Sequence, residues 1–205
     1  PFAYSSYEIG CQLYDGSFGA ELAEDIRNKT GIRVLGFIPQ GFFQFTNSKR
    51  PIKTPADMKG LKMRTPPIDM TIKTFKTLGA NPQMVAYTET YMALKSNVVD
   101  GQENPFAQIY SQKFQEVQKY LTLSGHIFAP YVWTMNADFW NSLSDSEKEV
   151  VSYAAQSAIV AGRGMGRVIE ASDRGLVELS KTMEVNTMTT EEKQAFKEAA
   201  VPEVK

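Results

Sequence analysis

Arg64 is the residue whose type and position point most directly to chemistry. It stands near the end of Leu61-Lys62-Met63-Arg64-Thr65, a short alternating run of strand character, and Pro66-Pro67 follows at once. A guanidinium is always charged and offers a planar fork of donors that fits a carboxylate through two parallel hydrogen bonds. Proline cannot continue the strand and favours a helix start just beyond it. The side chain is therefore expected at a strand's carboxyl end, beside the unpaired N–H groups and positive dipole end of a helix. In open α/β sheets ligands settle at such ends. A second loop expected there, after Val98-Val99-Asp100, presents Asn104, whose amide both donates and accepts hydrogen bonds. Type and position suit an acidic ligand. Spacing alone leaves a plainer reading beside this one, in which Arg64 pairs with a surface Asp or Glu.

Other chemistry is poorly supplied. The chain has a single histidine, His126, inside an apolar aromatic run, and a single cysteine, Cys11. Nucleophilic catalysis needs a base beside the nucleophile, and His126 reads first as a packed or hydrogen-bonded core imidazole, with a catalytic base as the competing reading. One His and one Cys leave only carboxylates for a metal, without EF-hand or His-x-x-x-His spacing, so no metal is implied. Gly162-Arg163-Gly164-Met165-Gly166 lies inside a helical pattern and lacks the Gly-x-Gly-x-x-Gly spacing of a dinucleotide loop; it reads as helix packing. Cys11 reads as a buried small apolar residue.

Composition narrows the class further. The 205 residues allow one large domain or two small lobes. Lys plus Arg number 22 against 23 Asp plus Glu, a net charge of −1 that argues against a nucleic-acid partner. Hydrophobic residues at 42% and charged residues at 22% fit a folded, water-soluble domain. One cysteine forbids a disulfide within the chain, so the redox compartment is not legible. No apolar run approaches a membrane span, and the opening Pro-Phe-Ala-Tyr-Ser-Ser-Tyr has neither basic nor apolar signal region, so a signal peptide, if there was one, is not in this sequence. Without an initiating Met the chain is expected to start inside a larger sequence.

Several elements must position Arg64. Phe18, Leu22 and Ile26 recur at spacing four and predict a helix over 18–28 stopped by Gly31, with a strand over 32–38 after it. Thr54-Pro55 starts a one-turn helix ending at Gly60. After the Arg64 strand, a helix is expected over 68–78 with Gly79 as its cap, then a strand over 83–86 and a short helix with Thr88 as N-cap. A strand at Val98-Val99-Asp100-Gly101 is expected next, with Gln102-Glu103-Asn104-Pro105 as a polar loop. Beyond it lie a helix over 106–120, a strand over 121–123 and a long strand over 126–135. Strand and helix in alternation give an α/β sheet. Ser144-Asp145-Ser146-Glu147 is a capping box opening a helical pattern that lasts to about Met183. At full length it would span on the order of 60 Å and bridge two lobes, with a kink or close packing near 162–166. A strand over 184–188 and a helix capped by Thr190 finish the chain.

Five stretches carry a resemblance to a known family. They are Asn47-Ser48-Lys49-Arg50-Pro51-Ile52, Lys59-Gly60-Leu61-Lys62-Met63-Arg64, Leu78-Gly79-Ala80-Asn81-Pro82, Val98-Val99-Asp100-Gly101-Gln102-Glu103-Asn104-Pro105 and Lys113-Phe114-Gln115-Glu116-Val117-Gln118-Lys119-Tyr120. In this order they resemble the substrate-binding proteins of tripartite ATP-independent periplasmic (TRAP) transporters, the DctP family. The resemblance implies a periplasmic two-lobe α/β receptor that closes over a small organic acid and hands it to membrane permease subunits, without enzyme activity and without a cofactor. It divides the chain into one lobe of residues 1–41 and 130–169, lacking its N-terminal strands, and a second of 42–129 and 170–205. It makes Arg64 the carboxylate grip and turns Asn104 to the ligand. Tyr87, two residues before Glu89, takes a position that packs on the substrate, and Tyr131 and Trp133 look into the cleft.

Two departures from the family pattern matter. Many members carry a second arginine just before a Phe-Thr-Asn stretch, where this chain reads Phe43-Gln44-Phe45-Thr46-Asn47. With Phe43, Tyr87, Tyr131 and Trp133 the pocket becomes more aromatic and suits a monocarboxylate or a bulky acid, while a dicarboxylate remains the family's other option; Phe43 packing inside its lobe is the plainer reading. Family members also hold strands before the Pro-Phe opening that are absent here, so exposed sheet edges favour association with another chain. Two other functions stay open: a carboxylate-sensing module of a signalling protein, and an enzyme on a carboxylate substrate with Glu89 or Glu103 as base.

Overall fold

A computed structural model describes residues 2–4, 6–172 and 174–204, the side chains of 201–204 excepted. Its first half runs α1 (Tyr7–Asp15), α2 (Ser17–Thr30), β1 (Ile32–Phe42), β2 (Gln44–Asn47), β3 (Lys62–Thr65), α3 (Asp69–Thr77), β4 (Asn81–Met84), α4 (Thr90–Lys95) and β5 (Gly101–Asn104). The second half runs α5 (Phe106–Ser111), β6 (Tyr120–Leu123), β7 (Phe128–Asn136), α6 (Ala137–Ser142), α7 (Asp145–Ala171), α8 (Leu176–Thr182), β8 (Glu184–Thr187) and α9 (Thr190–Val204). Short 3-10 turns occupy Pro55–Met58, Tyr87–Glu89 and Phe114–Glu116. The chain is α/β, and it divides into two compact units. One is Pro1–Ala3, Phe42–Ile127 and Ile169–Lys205; the other is Tyr4–Gly41 and Phe128–Val168.

The first unit is built on a six-stranded sheet in the order β4-β3-β5-β2-β6-β8. β3 runs parallel to β4 and β5, β6 runs parallel to β8, and β2 is antiparallel to both of its neighbours. Alternation along the strands gives the sheet two packed faces. Met63 and Phe45 turn to one face, where they bury with Phe75 and Leu78 around α3 and with Phe196 and Ala200 of α9. Leu121 turns to the other and buries with Leu94 of α4, Ile109 of α5 and Leu179 of α8.

Local sequence explains most boundaries and the structure moves some of them. β4 begins at Asn81 and takes in Pro82, earlier than expected, because β4 is the sheet's edge and a proline there removes no ladder bond. β5 falls on Gly101–Asn104: of the expected strand only Gly101 belongs to it, Gln102-Glu103-Asn104 come from the expected loop, and Val98-Val99-Asp100 lies outside the strand. The expected helix over 106–120 ends at Ser111, and Lys113 adopts a left-handed φ of 58° before a single 3-10 turn. α9 is capped by Thr189 rather than Thr190: the Glu192 N–H donates to Thr189 Oγ1 at 3.2 Å and the Thr189 N–H to Glu192 Oε2 at 2.8 Å.

The second unit carries a two-stranded sheet of β1 and β7. The strand expected from His126 begins at Phe128 and belongs to this unit alone. Ser144 and Glu147 form the expected capping box ahead of α7. α7 runs unbroken through its glycine run, where close packing is the other expectation. Gly162 lets Ile38 of β1 approach to 3.3 Å from where a Cβ would stand. Arg163 next to it forms a two-pronged pair with Asp15 at 2.6 and 2.7 Å. The break comes later, between α7 and α8, where a Cβ at Gly175 would stand 2.2 Å from the Glu170 carbonyl oxygen.

Candidate functional site

β3, β4 and β5 point their carboxyl ends the same way, and the amino end of antiparallel β2 joins them at that edge of the first unit's sheet. Arg64 stands one residue from the end of β3, where the sequence placed it. Its side chain is buried at 6% exposure, although the residue carries a full charge. Its Nε donates to the Val85 carbonyl oxygen at 2.9 Å. The guanidinium lies 5.7 Å from the centre of the Tyr87 ring, within cation–π range. Among the described residues no carboxylate forms an ion pair with it, so the plainer reading of a surface salt bridge fails on both burial and partner. Burial pushes the guanidinium's pKa down, while Glu103 and Tyr87 act the other way. A buried cation without a counter-ion is costly, and an anionic ligand is the natural compensation.

Register decides which side chains share the face of Arg64. Met63 pairs with Gly101, Gln44 with Asn104 and Thr46 with Gln102, so Arg64, Gln102, Asn104, Gln44 and Thr46 all turn to one face. Asn104 is buried and its Nδ2 donates to Gln102 Oε1 at 2.5 Å. The bonds continue from Gln102 Nε2 to Thr46 Oγ1 at 2.8 Å and from Thr46 Oγ1 to Gln118 Oε1 at 2.9 Å. Gln118 Nε2 completes the relay on the Asp100 carbonyl oxygen at 3.3 Å. Gln44 is fixed at both ends, donating to the Phe42 carbonyl oxygen and accepting from the Gly125 N–H. This relay lets a strand of polar residues be buried, because each polar group finds a partner. Thr46→Val keeps the volume and strands one buried amide donor and one buried carbonyl. It is expected to cost about 2 kcal/mol, seen as a lower urea midpoint with unchanged slope; a midpoint equal to the parent's would show that the relay contributes nothing to stability.

The opposite face holds His126. Its Nε2 lies 2.5 Å from Glu103 Oε2, its Nδ1 2.7 Å from Ser124 Oγ, and its ring stacks on Phe45 at 3.9 Å. The histidine is 2% exposed, so it is the hydrogen-bonded core imidazole rather than a base open to substrate. Glu103 is engaged in the same cluster. Glu89, the other carboxylate considered as a base, is exposed in the 3-10 turn after β4.

Of the other residues singled out in the sequence, Tyr87 sits beside Arg64, and Phe43 immediately precedes β2, its N–H bonded to the Ile127 carbonyl oxygen at 2.9 Å. Tyr131 and Trp133 belong to the second unit, exposed on β7. α3 starts at Asp69 without a side-chain cap, and that acidic residue in the first turn competes with an anion for the positive dipole end. Sequence reasoning missed Gln44 and the relay that Thr46, Gln102 and Gln118 form with Asn104. The available signal was four amide or hydroxyl residues at alternating positions of two strands, with Gln118 beyond them.

The chain matches known proteins over its whole length. A family model described as "DctP: Bacterial extracellular solute-binding protein, family 7" matches residues 1–205. The 2,3-diketo-L-gulonate-binding periplasmic protein of Escherichia coli is 33% identical over 199 residues, covering 97% of this chain and 60% of that protein. A TRAP periplasmic solute-binding protein from Polaromonas sp. JS666, solved bound to D-erythronate, superposes with a TM-score of 0.91 at 37% identity, covering 98% of this chain and 65% of the other. One from Shewanella oneidensis with bound succinate gives a TM-score of 0.92 at 31% identity, covering 98% and 66%. The chain thus spans less than two thirds of the length of these relatives.

Proposed function

The chain belongs to the DctP family of bacterial extracellular solute-binding proteins, and on that footing we propose that it works in the periplasm as the receptor of a TRAP transporter, capturing a small organic acid through Arg64 and presenting it to the membrane permease. The observation that carries this reading is the buried guanidinium, with which no carboxylate among the described residues forms an ion pair. The carboxylate of an acid would accept two parallel hydrogen bonds from the terminal nitrogens, while Nε stays anchored on Val85. The relatives support it: one solved neighbour holds D-erythronate and another succinate, both carboxylates.

In this reading Asn104, Tyr87 and Phe43 are further ligand contacts, and the family resemblance adds Tyr131 and Trp133. Lobes of residues 1–41 with 130–169 and 42–129 with 170–205 would close by a hinge motion biased by the ligand. The acid is released unchanged, as befits a family of receptors rather than enzymes. Mass spectrometry of material released from the purified protein is expected to find a carboxylic acid. Titrating that acid back should raise the melting temperature; a released ligand without an acidic group, bound equally well by the protein lacking Arg64, would end the proposal.

A further inference from the structure

The charge and packing around Arg64 carry the reading one step further, to the class of acid. Among the described residues, Arg64 is the one cation on the strand ends and connections at the carboxyl edge of the first unit's sheet. The connections that reach this edge are 42–43, 66–69, 85–89, 105, 124–127 and 188–189, and among them they hold no Lys or Arg. They do hold Asp69 and Glu89, both exposed, while Glu103 lies just inside. The side chain of Lys62 bonds the Asn97 carbonyl oxygen and Lys49 pairs with Asp100, both at the opposite end of the strands. A second carboxylate on the ligand would therefore meet no counter-charge from this unit and would face Asp69 and Glu89.

Hydroxyl groups fare little better. The amide of Asn104 is held by Gln102, and that of Gln44 is held at both ends. Each keeps only the N–H or lone pair left over, so a polyhydroxylated chain finds few polar partners at this edge once the carboxylate has engaged Asn104. What the edge does offer beyond Arg64 is apolar surface: Ile68 just before α3, Met70 in its first turn and the Tyr87 ring beside the guanidinium are large apolar groups left exposed.

We infer that the preferred ligand is a monocarboxylate with an apolar body, in preference to dicarboxylates and sugar acids. The inference rests on the reading of Arg64 as the carboxylate grip. Three acids of six carbons separate the two claims: hexanoate carries one carboxylate on an apolar chain, adipate a carboxylate at each end, and gluconate one carboxylate on a hydroxylated chain. Calorimetric titration of the purified protein, stripped of ligand, is expected to show hexanoate binding at least tenfold more tightly than either of the others. Adipate or gluconate binding within tenfold of hexanoate, or more tightly, overturns the ligand class. In that case loss of the binding in Arg64→Ala shows that the carboxylate grip itself stands. If none of the three binds, or if Arg64→Ala binds as the parent does, the grip fails and the ligand class falls with it.

Discussion

Arg64→Ala is expected to abolish measurable binding of any carboxylate ligand. A hydrogen bond to a charged group contributes about 1.5–3 kcal/mol, which alone is roughly a 10- to 150-fold loss of affinity. Two parallel bonds in a site with little water should exceed that. Arg64→Lys is expected to fail nearly as badly, because a point charge on a flexible stem cannot reproduce the planar fork or the anchor that Nε makes on Val85. The fold should survive both changes. Alanine removes a desolvated charge and one hydrogen bond together, and these act in opposite directions on stability. Circular dichroism and the melting temperature without ligand should therefore stay close to the parent's while the ligand-induced shift disappears. If the ligand-free variants melt far below the parent, Arg64 is a structural residue; if they keep the full ligand-induced shift, the carboxylate is bound elsewhere.

Arg64 was legible in the sequence for a reason that is local. Alternation over Leu61–Thr65 and the Pro66-Pro67 stop fix both the strand and its end, and neither depends on what packs against it. The amphipathic α2 and α3 were readable on the same grounds, since spacing of three and four reports a buried face directly. β5 was not. Its Gln102, Glu103 and Asn104 look like a loop because strands are recognised by apolar alternation, and here the buried face is polar. Burial becomes affordable only through partners far off in sequence: Thr46, 56 residues from Gln102, and His126, 23 residues from Glu103. The break between α7 and α8 was missed for a related reason. Gly162, Gly164, Gly166 and Gly175 look equivalent in a one-dimensional pattern, and only the backbone at Gly175 requires the missing side chain. Membership of a compact unit is likewise a property of contacts between distant segments, which no local pattern reports.

Gly101→Val is expected to be the most damaging single change to the fold of the first unit, and to reach the site through it. A Cβ at position 101 would stand 2.3 Å from the Thr46 carbonyl oxygen, 2.8 Å from Asn47 Cβ and 2.9 Å from Met63 Sδ. Met63 Sδ is the end of a flexible side chain and can move. The Thr46 carbonyl cannot, since β2 is held between β5 and β6 with Thr46 opposite Gln102 and Leu121. β5 must then shift against β2, and the shift carries Gln102 and Asn104 off the relay and away from the face of Arg64. Overpacking at a well-filled site ordinarily costs about 1–3 kcal/mol; a clash with ladder backbone should exceed the upper figure and lower the urea midpoint accordingly. Gly164→Ala is the matching control. Gly164 lies within α7, and a Cβ there meets nothing within 4 Å, so alanine should stabilise by about 1 kcal/mol through helix propensity alone. A Gly101→Val protein that melts like the parent and still shows the ligand-induced shift would mean that β5 and β2 are not packed at this register, and that the face shared by Arg64 and Asn104 is drawn wrongly.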